Sequence, residues 1–231
     1  MQQATQDENS IRIDTPLGKD ALILTRFVFK EALSQLFSVK AEVYGNGREI
    51  KPDELIGKEV TITLELGGNK QRYIHAVVAD VAALGARVSK DAAGADYRDY
   101  SLHLVAAAWY MQHRVNSRIF RAKNVLKIVE QVAGEHSVKV DVSAKIQGSY
   151  PDYDFKVQYE ESDLDFVQRL LQQEGIFYYF EHTQSGHKLV LADKATAYEP
   201  GIEAKVKFFA GSLSESHIHH WQKALVMAPG K

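Results

Sequence analysis

The chain contains no cysteine, which excludes a disulfide framework, a thiolate metal site and a cysteine nucleophile together. It also lacks any excess of positive charge: 28 Lys and Arg stand against 30 Asp and Glu, a formal net charge of -2. The basic balance that usually accompanies a phosphate-tracking groove is missing, so nucleic acid is not an expected partner. No apolar run approaches the ~20 residues of a helical membrane span; among the longest, Val77 to Val81 is broken by Asp80. Stable membrane insertion is therefore not expected. Met1 to Ser10 is polar and carries no apolar core of the kind that secretion signals use, so export through a signal peptide is not expected either. Catalytic and nucleotide motifs are equally scarce. There is no G-x-S-x-G elbow and no H-E-x-x-H pair, Gly45-x-Gly47 lacks the third glycine of a dinucleotide loop, and Gly18-Lys19 and Gly57-Lys58 lack the rest of a phosphate loop.

What is present is an ordinary globular composition, 45% hydrophobic and 25% charged over 231 residues, enough for one large domain or two small ones. Residues 1–19 read as a polar lead-in closed by Pro16 and Gly18. Ala21 to Phe29 is a strand candidate, and Phe37, Val39, Ala41 and Val43 alternate with polar residues, the period of a sheet wetted on one face. Gly45-Asn46-Gly47 turns the chain, and Pro52 before two acids suggests one helical turn. Val60 to Leu66 and Tyr73 to Val81 form a hairpin around Gly67-Gly68-Asn69, 82–95 reads as a long loop, and Tyr97 to Ala106 is another strand. Several short antiparallel strands across 20–110 suggest a small barrel or sandwich, because closing a sheet removes its edges.

The period changes after Arg114. Val125, Ile128, Val129 and Val132 recur at helical spacing, with Asn124 placed to cap and Gly134 to stop, which predicts a helix over 124–133. Val138 to Val142 and Phe155 to Tyr159 read as strands around the Gly148 to Pro151 turn. The most strongly specified unit follows. Ser162 with Asp165 is a capping-box-like start, and Leu164, Phe166, Val167, Leu170 and Leu171 share a face opposite Asp165, Gln168, Arg169 and Gln172. Gly175 supplies a helix stop, Ile176 to Phe180 reads as a strand covered on both faces, and Lys188 to Asp193 returns after a turn.

Candidate chemistry is weak. In His217-Ile218-His219-His220 a strand would put His217 and His219 on one face, but no third ligand is set by spacing, and solvated or packed histidines are the expected reading. Glu160, Glu161, Asp163 and Asp165 resemble a glycosidase carboxylate cluster less than they resemble acids gathered at the positive end of a helix dipole. Arg114, Arg118, Arg121, Lys123 and Lys127 allow a phosphate-binding reading, with a solvated, ion-paired face the expected one. No catalytic, cofactor-binding or metal-binding residue is assigned.

Against this background a set of motifs stands out. Tyr150-Pro151, Val157-Gln158-Tyr159, Glu161-Ser162-Asp163, Asp165-Phe166-Val167, Arg169-Leu170, Glu174-Gly175-Ile176 and Tyr178-Tyr179-Phe180-Glu181-His182 resemble the signature of the VgrG proteins, the valine-glycine repeat spike proteins of type VI secretion. Arg26-Phe27, Leu55-Ile56-Gly57-Lys58, Trp109 and Ser117-Arg118-Ile119-Phe120 agree in order, and the resemblance covers about residues 20–222. Ala76 departs from it where the family has a glycine, and Ala106 where it has a proline; local changes only are expected.

The resemblance implies a phage-tail-hub-like fold, α+β and mainly antiparallel β. A first β-barrel would occupy 20–113, an α/β insertion domain 114–204, and the start of a second, truncated β-barrel 205–231. It implies a non-enzymatic structural hub: a homotrimer in the full-length protein that adapts a spike to the hexameric secreted tube, with baseplate components and effectors as further partners and no cofactor. Such a part would be assembled in the bacterial cytoplasm and then secreted into a target cell or the medium. The alternatives are the baseplate hub of a phage or related contractile tail, a spike-associated cell-wall hydrolase, and a monomeric binding module.

Overall fold

A computed structural model describes residues 4–45, 49–66, 70–87, 97–198, 207–208 and 217–218. The chain forms two compact units, 1–194 and 195–231. The first begins with a six-stranded antiparallel sheet built from β1 (Ile11–Asp14), β2 (Leu22–Lys30), β3 (Ser38–Gly45), β4 (Glu59–Glu65), β5 (Gln71–Arg87) and β6 (Tyr97–Val105). The spatial order is β1-β4-β5-β6-β3-β2. The two terminal strands, β1 and β2, approach each other, so the sheet is nearly closed into a barrel. Alternation does what the sequence predicts in β3 and β6: Phe37, Val39, Ala41 and Val43 meet Tyr100, Leu102 and Leu104 in the barrel core.

The lead-in is corrected by the structure. Residues 11–14, read as part of the polar lead-in, are an edge strand paired with β4, and Gln6 just before it is buried. The Gln6 side chain behaves as a piece of strand backbone: Oε1 accepts from Ile13 N at 3.0 Å and Leu24 N at 3.1 Å, while Nε2 donates to Ile13 O at 3.2 Å. It bridges β1 to β2 where no strand ladder does, and so satisfies amides that closure would otherwise leave dry. The expected loop from 82 is also shortened, because β5 continues to Arg87 against β6. Ala82 and Ala83 have weak strand propensity, and their pairing comes from a long-range partner. Ladder irregularities between Val78 and Asp80 and between Ala83 and Gly85 bend this strand around the barrel. The expected turns at 46–47 and 67–69 and most of the tract after 87 lie outside the described residues, while Pro52–Glu54 is a 3-10 turn as predicted.

A 3-10 helix, Ala107–His113, leaves the barrel. Ala106 at its start has φ of -65°, the value that a proline ring would impose, so alanine there costs no change of path. Ala76 is fully buried in β5. Next come β7 (Val115–Lys123), α1 (Val125–Gly134), β8 (Val140–Lys145), β9 (Tyr153–Ser162), α2 (Asp163–Gln173), β10 (Phe177–Thr183) and β11 (Gly186–Ala192). Both predicted helices form. Asn124 accepts from Lys127 N, and Ser162 Oγ accepts from Asp165 N, at 3.0 Å in each case. Gly175, at φ +70°, ends α2 in the left-handed conformation. The predicted apolar faces, including Val125, Ile128, Val129, Val132, Phe166, Leu170 and Leu171, form a second core. Phe120 and Phe166 stack at its edge, 5.4 Å apart.

Strand pairing differs from the simple hairpin around 148–151. β8 pairs in parallel with β11, in the order β10-β11-β8, and β9 pairs antiparallel with β7, a strand that periodicity did not predict. α2 packs chiefly on the 3-10 helix, α1 and β9, and it meets β10 where Gln168 Nε2 donates to the Tyr178 hydroxyl at 2.8 Å. In the second unit β12 (Lys207–Phe208) and β13 (His217–Ile218) form a short parallel pair. Among the described residues no helix is long and apolar enough to cross a membrane.

Candidate functional site: a buried carboxylate and a histidine seam

The acids at 160–165 separate into different roles. Glu160 is exposed, Glu161 pairs with Arg169, and Asp165 accepts from the Ser162 hydroxyl at 2.6 Å. Asp163 is wholly buried. Its Oδ2 takes Arg114 Nε at 2.7 Å and lies 2.8 Å from His136 Nε2; Oδ1 takes Asn116 Nδ2 at 2.9 Å, Gln158 Nε2 at 2.8 Å and a terminal Arg118 nitrogen at 3.0 Å. Glu135 closes the network over Arg114 and Arg118. Burial alone would raise the Asp163 pKa, but hydrogen bonds from His136, Gln158 and Asn116 and the Arg118 charge hold it at about 2. The expected dipole cap is thus the smaller part of its role. Asp163 is the hub that joins β7, β9, α2 and the segment after α1. With both carboxylate oxygens engaged by donors, it is placed to hold charge and not to move protons.

The predicted basic face is ion-paired at several points. Arg114 and Arg118 serve the buried acid, and Lys127 reaches Asp152 at 3.1 Å. Lys123 bonds Gln131. Of the 217–220 histidines, His217 falls in β13, and His219 and His220 lie outside the described residues.

Sequence reasoning missed a second cluster. Thr61 and His75 face each other across β4 and β5 on the outer surface of the barrel, and both are buried because the β10–β11 hairpin covers them. Thr61 Oγ1 donates to Gln184 O at 2.8 Å, and Ser34 N donates to Tyr178 O at 2.8 Å. Between these contacts lie three imidazoles. His187 Nε2 accepts from Ala107 N at 2.9 Å, so a neutral His187 carries its proton on Nδ1, which faces His75 Nδ1 at 3.0 Å. His75 must then accept there and keep its proton on Nε2, 3.7 Å from Glu59. His182 Nδ1 sits 3.2 Å from His75 N, and its Nε2 is buried without a partner. Phe37 packs edge-on to His182 and His187, with centroids 4.8 and 5.3 Å away.

Burial lowers all three pKa values, that of His182 to about 4 and that of His187 to about 3, with the neighbouring imidazoles adding to the effect in both. A protonated His187 would turn an N–H toward the Ala107 N–H, and a protonated His75 would do the same toward His187. The cluster therefore works as a neutral polar seam between barrel and hairpin. Among the described residues no group of three or more His, Asp or Glu is arranged to hold a metal ion. One signal for it lay in the sequence, since a hairpin turning over Thr183–Gly186 sets His182 directly across from His187.

A nearly closed antiparallel barrel, with a helix-bearing unit sealed to its outer wall by buried hydrogen bonds and packed rings, is the architecture of the tail-hub class. The model of the phage tail baseplate hub (GPD) family matches residues 30–231, and the chain belongs to that family. It is homologous to the VgrG spike proteins. It is 32% identical to the type VI secretion system spike protein VgrG1c of Pseudomonas aeruginosa over 98% of this chain and 31% of that protein. VgrG1a of the same organism is 32% identical over 95% of this chain and 34% of the relative. The chain thus spans about a third of the length of these relatives.

Solved structures agree on the fold. An Escherichia coli component of the type VI secretion system, described as similar to the bacteriophage T4 tail proteins gp27 and gp5, superposes with a TM-score of 0.70 at 19% identity, covering 85% of this chain and 52% of that one. A Neisseria meningitidis tail protein gives 0.55 at 12% identity over 90% and 57% of the two chains.

Proposed function

We propose that this chain is the hub region of a type VI secretion spike, a part that trimerises, adapts the spike to the hexameric secreted tube and leaves the cell with it to deliver effectors. The observation that carries this reading is its similarity, over nearly its whole length, to several spike proteins of one secretion system. The molecule's own chemistry is consistent with mechanical work. Its buried polar groups are spent on joining the barrel to the hairpin and the helices to each other, which suits a part loaded by force and carries no catalytic role. In this reading residues 20–113 are a first barrel, 114–204 an insertion and 205–231 the start of a second barrel.

A chimera tests it. This chain would replace the matching third of Pseudomonas aeruginosa VgrG1c, and tube protein would be measured in the medium. Retained secretion is expected; a soluble, stable chimera that abolishes secretion overturns the proposal. The baseplate hub of a contractile phage tail is the second reading, favoured by the family match and the tail-protein superposition.

A further inference from the structure

The hairpin that covers the barrel also walls a cavity that the seam itself leaves open. A hollow of about 470 Å³ lies beside the turn between β10 and β11, lined by Lys139, Glu181, His182, Ser185, His187 and Lys188 among others. It has the size of a small-molecule site, and a few polar groups converging on such a space are what these sites share.

The charges on this wall do not cancel. Lys188 is shared between Asp141 and Glu181, 3.1 Å from each, so the acid on the wall is already engaged. Lys139, in the segment between α1 and β8, is exposed and has no carboxylate within ion-pair distance among the described residues. Its ammonium lies over the hairpin turn, 3.7 Å from where a side chain on Gly186 would begin. Its charge also opposes protonation of both His75 and His187.

His182 adds a second unmet group. Its Nδ1 is 3.2 Å from both the amide and the carbonyl oxygen of His75. A buried amide left without a partner is rarer than an under-used carbonyl, so Nδ1 accepts from the amide and the ring proton sits on Nε2. That N–H is buried and unpartnered. Ser185 contributes an exposed hydroxyl. The wall therefore carries an ammonium, an imidazole N–H and a hydroxyl, all able to donate, and its acid is held by Lys188.

We propose that this hollow binds a small molecule carrying a single carboxylate, with the Lys139 ammonium on one oxygen and the His182 N–H or the Ser185 hydroxyl on the other. The inference goes beyond the hub reading and uses only the chemistry of the cavity. A carboxylate accepts and does not donate, and its two oxygens have room for several donors. Its one negative charge matches the one cation on the wall that no acid holds. A phosphate dianion would bring a second charge, and burial keeps His182 and His187 neutral, so nothing on the wall would answer it.

Acetate probes the recognised group alone. Histidine ring resonances of the chain would be followed by NMR at neutral pH as acetate replaces chloride at constant ionic strength. Saturating shifts of the His182 and His187 signals are expected. Affinity should fall roughly tenfold in Lys139→Met, the equivalent of one charge-assisted hydrogen bond, and stay unchanged in Lys30→Met on β2. Both lysines are exposed, so neither change disturbs a core. Shifts that never saturate, or that Lys139→Met leaves as they were, overturn the site. Tighter binding of inorganic phosphate than of acetate overturns it too, because the hollow would then select for charge and not for a carboxylate.

Discussion

The two buried polar clusters face the same cost, polar groups away from water, and meet it in opposite ways. Asp163 keeps its charge, because two guanidiniums, an imidazole and two amides surround it. The histidine seam avoids charge, because His187 accepts from the Ala107 amide, His75 accepts from His187, and burial disfavours the charged form of all three imidazoles. A charged cluster needs every donor, so it is sensitive to deletion. A neutral one needs every tautomer, so it is sensitive to protons.

The comparison can be broken most severely through packing. Leu170, fully buried in the core beside Asp163, should not accept a carboxylate: Leu170→Asp is expected to cost on the order of 5 kcal/mol by burying an unpaired charge. Hydrogen exchange would show α1 and α2 amides losing protection while those of Val39 and Leu102 keep theirs. Equal loss in the barrel would mean that the two cores fold as one. Asp163→Ala comes next, at about 3–5 kcal/mol, since it strands the cations and amides around it. Chemical denaturation measures this, and a loss below about 1 kcal/mol would show that the network relaxes to solvent.

Acid separates the clusters by pH. The imidazoles have folded pKa values depressed from 6.5, to about 4 in His182 and about 3 in His187, so the unfolded chain binds protons first. Their contribution is complete above pH 6.5 and is lost as pH falls toward 4 and 3. Asp163, depressed from 3.8 to about 2, contributes fully above pH 3.8 and fades only below it. Between pH 6.5 and 4 the seam alone should therefore fail, with a total loss on the order of 3 kcal/mol after allowing for solvent screening. His182→Leu should flatten that slope; an unchanged slope in urea titrations would assign the acid sensitivity elsewhere. The smallest effect concerns a third solution, a neutral amide satisfied by backbone. Gln6→Ala should cost about 1–3 kcal/mol by leaving Ile13 and Leu24 amides unpaired, with a lower thermal midpoint and faster exchange at those two sites.

Much of the fold was legible from the sequence. The faces of α1 and α2, their caps at Asn124 and Ser162, the stop at Gly175 and the alternation of β3 and β6 are local or periodic, and all are found in the structure. β4 was half legible: Val60 and Ile62 point inward as expected, but Thr61 is buried as well, because a hairpin more than a hundred residues later lies over it. The candidate site was legible in one member only. Asp163 was noticed as an acid at a helix start, and nothing nearby announced that Arg114, Asn116 and Arg118, 45 to 49 residues earlier, would surround it. His75 lies 107 and 112 residues before His182 and His187, and only the pairing of the latter two across their hairpin was readable locally.

The sequence by itself determined both helices and most strands, which faces are apolar and, through its motifs, which family the chain resembles. Periodicity and capping are properties of neighbouring residues, and they survive without the rest of the fold. Only the tertiary structure decided that β7 exists as the partner of β9, that β8 joins β11 in parallel, that Gln6 closes the barrel and that the acid at 163 is a hub. Each of these depends on groups brought together across long loops, where the partner that satisfies a hydrogen bond or a charge is chosen by geometry and not by distance along the chain.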